Sequence, residues 1–181
     1  MTLPPATLAP NLSALEAALL ASAPARSLAF LVDQRGGRTF EKVLARRLRA
    51  GAARLAGGDL EAGAADLHGL GFGLTPSGDD FLAGFLLGLR ALEMAAGRDL
   101  APQRRAIREA ARSANPFSET LLRSALEGRC YHAAGALIRA LFEGTEADVL
   151  SHARGLFAIG ASSGADLAVG LLFALKVTAW S

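Results

Sequence analysis

Two ten-residue stretches bring hydroxyls, carboxylates and glycines together at matched spacing. The first reads Ser77-Gly78-Asp79-Asp80-Phe81-Leu82-Ala83-Gly84-Phe85-Leu86. The second reads Ser163-Gly164-Ala165-Asp166-Leu167-Ala168-Val169-Gly170-Leu171-Leu172. Both follow Ser-Gly-x-Asp, three residues, Gly and two apolar residues, at one constant offset. Chance likeness of two apolar helices explains the apolar positions but not Ser, Gly, Asp and Gly in register, so an internal pseudo-repeat is expected. In each stretch a hydroxyl and a carboxylate stand three apart, the spacing of a capping box with Asp in place of Glu. Such a cap is worth about 1 kcal/mol.

A cap alone does not call for Gly after Ser, for a second Asp, or for the preceding Gly71-Phe72-Gly73-Leu74-Thr75-Pro76. Glycine at a helix entry allows close backbone approach. Free first-turn N–H groups can hold an anion. Thr75, Ser77, Gly78, Ser163 and Gly164 are therefore candidate donors to a small anionic ligand. Asp79, Asp80 and Asp166 could orient an amide N–H of that ligand or hold a cation. A third helix start, Asn115-Pro116-Phe117-Ser118, adds Asn115 and Ser118 as candidates, with a simple cap as the alternative. No general base adjoins either serine in sequence, so no catalytic residue is assigned. His68, His132 and His152 lack metal-ligand spacing and read as ordinary, partly buried imidazoles. No cofactor and no metal centre are expected; three aspartates would at best take Mg²⁺ or Ca²⁺ weakly. Gly71-x-Gly73 is not a dinucleotide fingerprint, and there is no P-loop.

These residues need helices to position them, and the composition supplies helices. Ala and Leu number 39 and 32 of 181 residues, against 8 Val plus Ile. Ala and Leu favour helix, and β-branched residues favour strands. The expected class is all-α, a globular multi-helix domain with eight or nine helices. The most apolar segments, 79–96 and 163–178, should form its centre. Asp80, Gly84 and Gly88 lie on one helical stripe, and Asp166, Gly170 and Ala174 repeat it. If the two helices cross near their starts, both Ser-Gly-x-Asp turns face one cleft. If they run antiparallel, the turns lie at opposite ends and the shared site fails. Residues 1–10 read as a loose segment and 11–181 as one helical domain, with Asn11 or Ser13 capping the first helix. Residues 27–33 read as a short strand or a helical turn.

The charge balance is +2, from 19 basic and 17 acidic side chains. The clusters Arg46, Arg47, Arg49 and Arg104, Arg105, Arg108 read as solvated helix faces. Nucleic acid is not an expected partner, because a binder would show a basic stripe with aromatic platforms. No apolar run approaches a membrane span. Cys130 stands alone and reads as a semi-buried structural thiol. With no Lys or Arg before Arg26, no signal-peptide pattern is visible, and a cytoplasmic location is expected. A homo-oligomer stays open.

The stretch Gly71–Gly84 resembles the signature of the AllH family, above all in its Gly-Leu-Thr-Pro-Ser-Gly-Asp-Asp core. The similarity runs more loosely through residues 115–128, with Ser118, Leu121, Leu122, Ala125 and Gly128. It ends in 159–166, similar to the family's C-terminal Ser-Gly-x-Asp block. Coverage is roughly Leu55 to Leu175. Family members tend to carry a His before the last Ser-Gly, where this chain has Ala161 and Ser162. Members are also longer at the N-terminus, so this chain reads as the helical core. The resemblance implies a subunit of oxamate carbamoyltransferase in purine and allantoin catabolism, beside FdrA-like and AllG-like subunits. The implied reaction moves a carbamoyl group between oxamate and phosphate, giving or using carbamoyl phosphate. Thr75, Ser77, Gly78 and Ser163 would then meet the anion, and Asp79, Asp80 and Asp166 the carbamoyl amide. A stand-alone Mg²⁺-dependent hydrolase using the three aspartates and a non-catalytic scaffold are the alternatives.

Overall fold

The computed structural model describes residues 6–33 and 42–177. Among these residues there are ten helices and no strand. They are α1 (Leu8–Ser22), α2 (Phe30–Asp33), α3 (Lys42–Ala56), α4 (Leu60–Leu67), α5 (Ser77–Ala96), α6 (Ala101–Ala110), α7 (Pro116–Leu126), α8 (His132–Glu143), α9 (Glu146–Phe157) and α10 (Ser163–Lys176). The all-α class expected from the composition is the one observed. α1 begins at Leu8, ahead of Asn11, and Asn11 instead lies buried, donating through Nδ2 to the Ala140, Leu141 and Gly144 carbonyls. The ambiguous segment 27–33 is a turn followed by the single helical turn α2. The expected end of the second apolar segment at Thr178 lies outside the described residues.

Local chemistry explains most boundaries. Asn115 caps α7 through its Oδ1, with Pro116 in the first turn. Thr145 and Asp148 form a reciprocal capping box on α9. Gly97 ends α5 in the left-handed conformation that glycine adopts without strain.

α5 and α10 pack against each other more extensively than any other pair. Every residue of α5 from Ser77 to Leu89 is buried, and so are most of α10. Their contact is reciprocal and depends on glycine. A Cβ on Gly84 would lie 1.9 Å from the Leu167 carbonyl oxygen, and one on Gly170 would lie 1.9 Å from that of Phe81. A Cβ on Gly88 would lie 2.6 Å from that of Ala174. The small-residue stripes thus let two backbones touch, and Phe81 and Phe173 close edge to face beside them at 5.4 Å. The helices meet start against start, so both Ser-Gly-x-Asp turns occupy one end of the pair. The remaining helices enclose it, with α4, α6 and α7 against α5, and α1 and α9 against α10.

One expectation about charge changes here. Arg104 is buried rather than solvated; it reaches the Leu126 carbonyl at 2.5 Å and Glu93 at 2.9 Å, tying α6 to α5 and α7. Arg49 stacks on the Phe30 ring with its guanidinium carbon 4.8 Å from the centroid. No described helix is long and apolar enough to cross a membrane.

Candidate functional site

The serines do not cap their own helices. Pro76 and Ser162 occupy the cap positions of α5 and α10, and neither gives a side-chain cap bond. Instead the hydroxyls cross over. Ser163 at the start of α10 lies against Asp80 of α5, and Ser77 at the start of α5 against Asp166 of α10, each close enough for its hydroxyl to lower the proton affinity of that carboxyl. The pairs read from sequence as capping boxes are therefore exchanged between the two helices. Thr75 Oγ1 donates to Asp80 Oδ2 at 3.2 Å and lies 3.5 Å from Ser163 Oγ. Ser162 Oγ donates to Asp166 Oδ2 at 2.9 Å, and the Leu28 N–H donates to Asp166 Oδ1 at 2.6 Å.

This arrangement buries two carboxylates, and among the described residues no Lys, Arg or His forms an ion pair with either. Burial pushes the Asp80 carboxyl up to about 7 from the usual 3.8. Hydrogen bonds from Ser163 and Thr75 pull it back, and the charge of Asp166 adds to the rise. Burial likewise raises Asp166, to about 6, against hydrogen bonds from Leu28, Ser77 and Ser162.

Asp79 has a different place. Its Oδ1 accepts from His68 Nδ1 at 2.8 Å and from the Gly69 N–H at 2.9 Å. Its Oδ2 accepts from the fully buried Ser118 at 2.6 Å. It thus staples the end of α4 and the start of α7 to the start of α5. Asn115 adds a bond from Nδ2 to the Leu74 carbonyl, 2.7 Å, which fixes the glycine-rich loop against α7.

The glycines after the serines have a packing cause. A Cβ on Gly78 would lie 2.0 Å from the Leu67 carbonyl oxygen, and one on Gly164 1.8 Å from that of Leu156. The Gly78 N–H donates to Leu70 O at 2.8 Å and the Gly164 N–H to Ile159 O at 3.1 Å. Those two donors are spent on the preceding turns. Of the ten candidates, then, Thr75, Ser77, Asp80, Ser163 and Asp166 form one cluster. Asp79, Asn115 and Ser118 tie its surroundings, and Gly78 and Gly164 seat the two helix starts. Sequence reading missed His68 and Leu28. The only signal for His68 was its place in the last turn before the glycine-rich loop; a backbone N–H such as that of Leu28 leaves none.

Beside the cluster lies a half-open cavity of about 440 Å³. Thr75 lines it, together with Ala83, one turn along α5 from Asp80, and Leu167, next to Asp166. Its walls come from α7 and from the segment Arg129-Cys130-Tyr131. Cys130 is exposed there rather than semi-buried. Among the described residues no group of three or more His, Cys, Asp or Glu is arranged to hold a metal ion.

Residues 67–175 match the family described as oxamate carbamoyltransferase subunit AllH. The chain belongs to the AllH family. The match runs from the last residue of α4 almost to the end of α10, so it contains both carboxylates, their hydroxyl partners and the His68–Asp79–Ser118 staple. Comparison with curated proteins and with solved structures returned no match.

Proposed function

We propose that this chain is the AllH-type subunit of an oxamate carbamoyltransferase and that its site is the Asp80–Asp166 cluster. The observation that supports this best is the exchange of serines, which sets two raised carboxylates beside a cavity at the common end of α5 and α10. Carbamoyl transfer to oxamate joins the amide nitrogen of oxamate to the carbamoyl carbon. The bond from that carbon to the phosphate oxygen breaks, phosphate leaves, and the nitrogen gives up a proton. A base whose pKa lies near the working pH serves such a step best. Asp80, at about 7, is that base in this reading, with Thr75 and Ser163 orienting it. Asp166 is the second carboxylate; burial is the main cause of the raised Asp80 proton affinity, and the charge of Asp166 adds to it. The carboxylates accept amide N–H groups, so the carbamoyl-bearing end of the ligand belongs at Asp80, and the phosphate belongs farther out. FdrA-like and AllG-like subunits would complete the assembly.

The Mg²⁺-dependent hydrolase gains less support, because Asp79 spends both oxygens on His68, Gly69 and Ser118. The reading is tested by reconstituting the chain with its partner subunits and measuring transfer from carbamoyl phosphate to oxamate. Asp80→Asn should lower the rate by about 10²-fold or more, the scale of a lost general base. Asp166→Asn should shift the pH profile of the rate. Full activity in both variants would refute it.

A further inference from the structure

The two buried carboxyls meet different kinds of donor. Among the described residues, Asp80 is met by hydroxyls, Thr75 donating to Oδ2 at 3.2 Å and Ser163 lying against it. A hydroxyl can turn and accept, so it serves a protonated carboxyl as well as a charged one. Asp166 has Ser77 and Ser162 as hydroxyl neighbours, but its Oδ1 also faces the Leu28 N–H at 2.6 Å. A backbone N–H can only donate, and a buried donor this close favours the charged carboxylate. The donor is held in place. Ser27 and Leu28 are buried, the Ser27 N–H donates to Pro24 O at 2.9 Å, and Leu28 O accepts from the Leu31 N–H at 2.8 Å. The turn between α1 and α2 is thus pinned on both sides of the Leu28 N–H. Among the described residues, Asp166 and Asp79 are the charges that act on Asp80, His68 from α4 is engaged with Asp79, and no Lys, Arg or His forms an ion pair with either carboxylate of the pair. The Leu28 donor is therefore what distinguishes two otherwise similar buried groups.

We propose that the Leu28 N–H is the positioning group of the pair: it holds Asp166 as the carboxylate and leaves Asp80 as the carboxyl that gains and loses the proton. The proton affinities have the same order, about 7 for Asp80 and about 6 for Asp166. Leu28 lies outside residues 67–175, so the cluster draws a deciding group from beyond the stretch that matches the family. The catalytic meaning of this division rests on the carbamoyl reading above, in which Asp80 is the base. The division itself is tested by carbon NMR of the full chain, labelled at the aspartate carboxyls, between about pH 4 and pH 9. Asp80→Asn and Asp166→Asn assign the two signals, and Asp80 should titrate above Asp166. Replacing Leu28 by its α-hydroxy acid exchanges the N–H for an ester oxygen and keeps the side chain. It should raise the Asp166 midpoint by about one to two pH units, the worth of a hydrogen bond to a charged group, and bring it level with or above that of Asp80. Leu28→Ala keeps the N–H and removes the buried side chain, so it should leave the order as it is. The unaltered chain gives a second reading should the ester fail to fold: the Leu28 amide proton should hold its resonance through the upper step and move in the lower one. An Asp166 midpoint that the ester leaves in place, or a Leu28 amide that moves in the upper step, would overturn the proposal. These readings need neither substrate nor partner subunit. Oxamate carbamoylation by the reconstituted assembly is scored separately, and absence of transfer with the titration order intact would count against the carbamoyl reading alone.

Discussion

Asp80 and Asp166 carry proton affinities that set a sign for pH dependence. Both have folded pKa values raised above 3.8, to about 7 and about 6. The folded state therefore binds more protons than the unfolded chain between those values and 3.8. Their contribution to stability is fully present below pH 3.8 and is lost as pH rises through 6 to 7. Wild-type protein should melt higher at pH 5 than at pH 8 by a margin that shrinks in Asp80→Asn. At pH 8 that variant should be more stable than wild type by about 1–3 kcal/mol, since one pKa unit is worth about 1.4 kcal/mol. Thermal melts of both proteins across that range decide it; equal pH slopes would refute a buried titrating Asp80. Asp79 should behave in the opposite way. Asp79→Ala leaves His68, the Gly69 N–H and Ser118 without their acceptor in a buried place. A loss of about 2–4 kcal/mol is expected from urea unfolding, since unmade buried hydrogen bonds are expensive. A change under 0.5 kcal/mol would show that the staple carries nothing.

At the scale of elements, the site depends on how closely α5 and α10 approach. Gly84→Ala or Gly170→Ala would put a methyl group 1.9 Å from a backbone carbonyl oxygen, which neither backbone can yield without separating the helices. Each should cost at least about 3 kcal/mol, beyond ordinary overpacking because the obstacle is main chain. Gly155 supplies the control, since a Cβ there meets nothing within 4 Å and the residue sits inside α9. Gly155→Ala should stabilise by about 0.5–1 kcal/mol through helix propensity. Comparable melting temperatures for Gly84→Ala and Gly155→Ala would contradict the close crossing. The crossing also explains how each serine comes to face the other helix's carboxylate: the two helix starts lie together at one end of the pair.

For the molecule as a whole, the buried pair should be the last part to open. Amide hydrogen exchange is expected to be slowest over Phe81–Leu89 of α5 and Leu167–Leu175 of α10, where side chains are buried almost without exception. Slower exchange in α6 or α9 would mean that the centre of the fold lies elsewhere. Metal titration tests the cluster at the same scale. With Asp79 engaged internally and no group of three or more His, Cys, Asp or Glu among the described residues arranged to hold a metal, calorimetry should find only weak Mg²⁺ or Ca²⁺ binding, and tight Zn²⁺ binding would contradict this site.

The sequence by itself determined the helical class, the central pair and several boundaries. Those properties are local: Ala and Leu content, runs of apolar residues and Asn115 as a cap. It also marked Asp80, Asp166 and their serines, because a matched Ser-Gly-x-Asp spacing survives as a pattern in one dimension. Only the tertiary structure decided which serine meets which aspartate. That pairing follows from the crossing of two backbones at Gly84 and Gly170, and a crossing has no spacing along the chain. For the same reason the glycines after the serines read as room for a ligand, when the room is filled by the Leu67 and Leu156 carbonyls. His68, the Leu28 N–H and the cavity walls were invisible because each acts through contacts with residues distant in sequence or through the backbone, where side-chain identity leaves no trace.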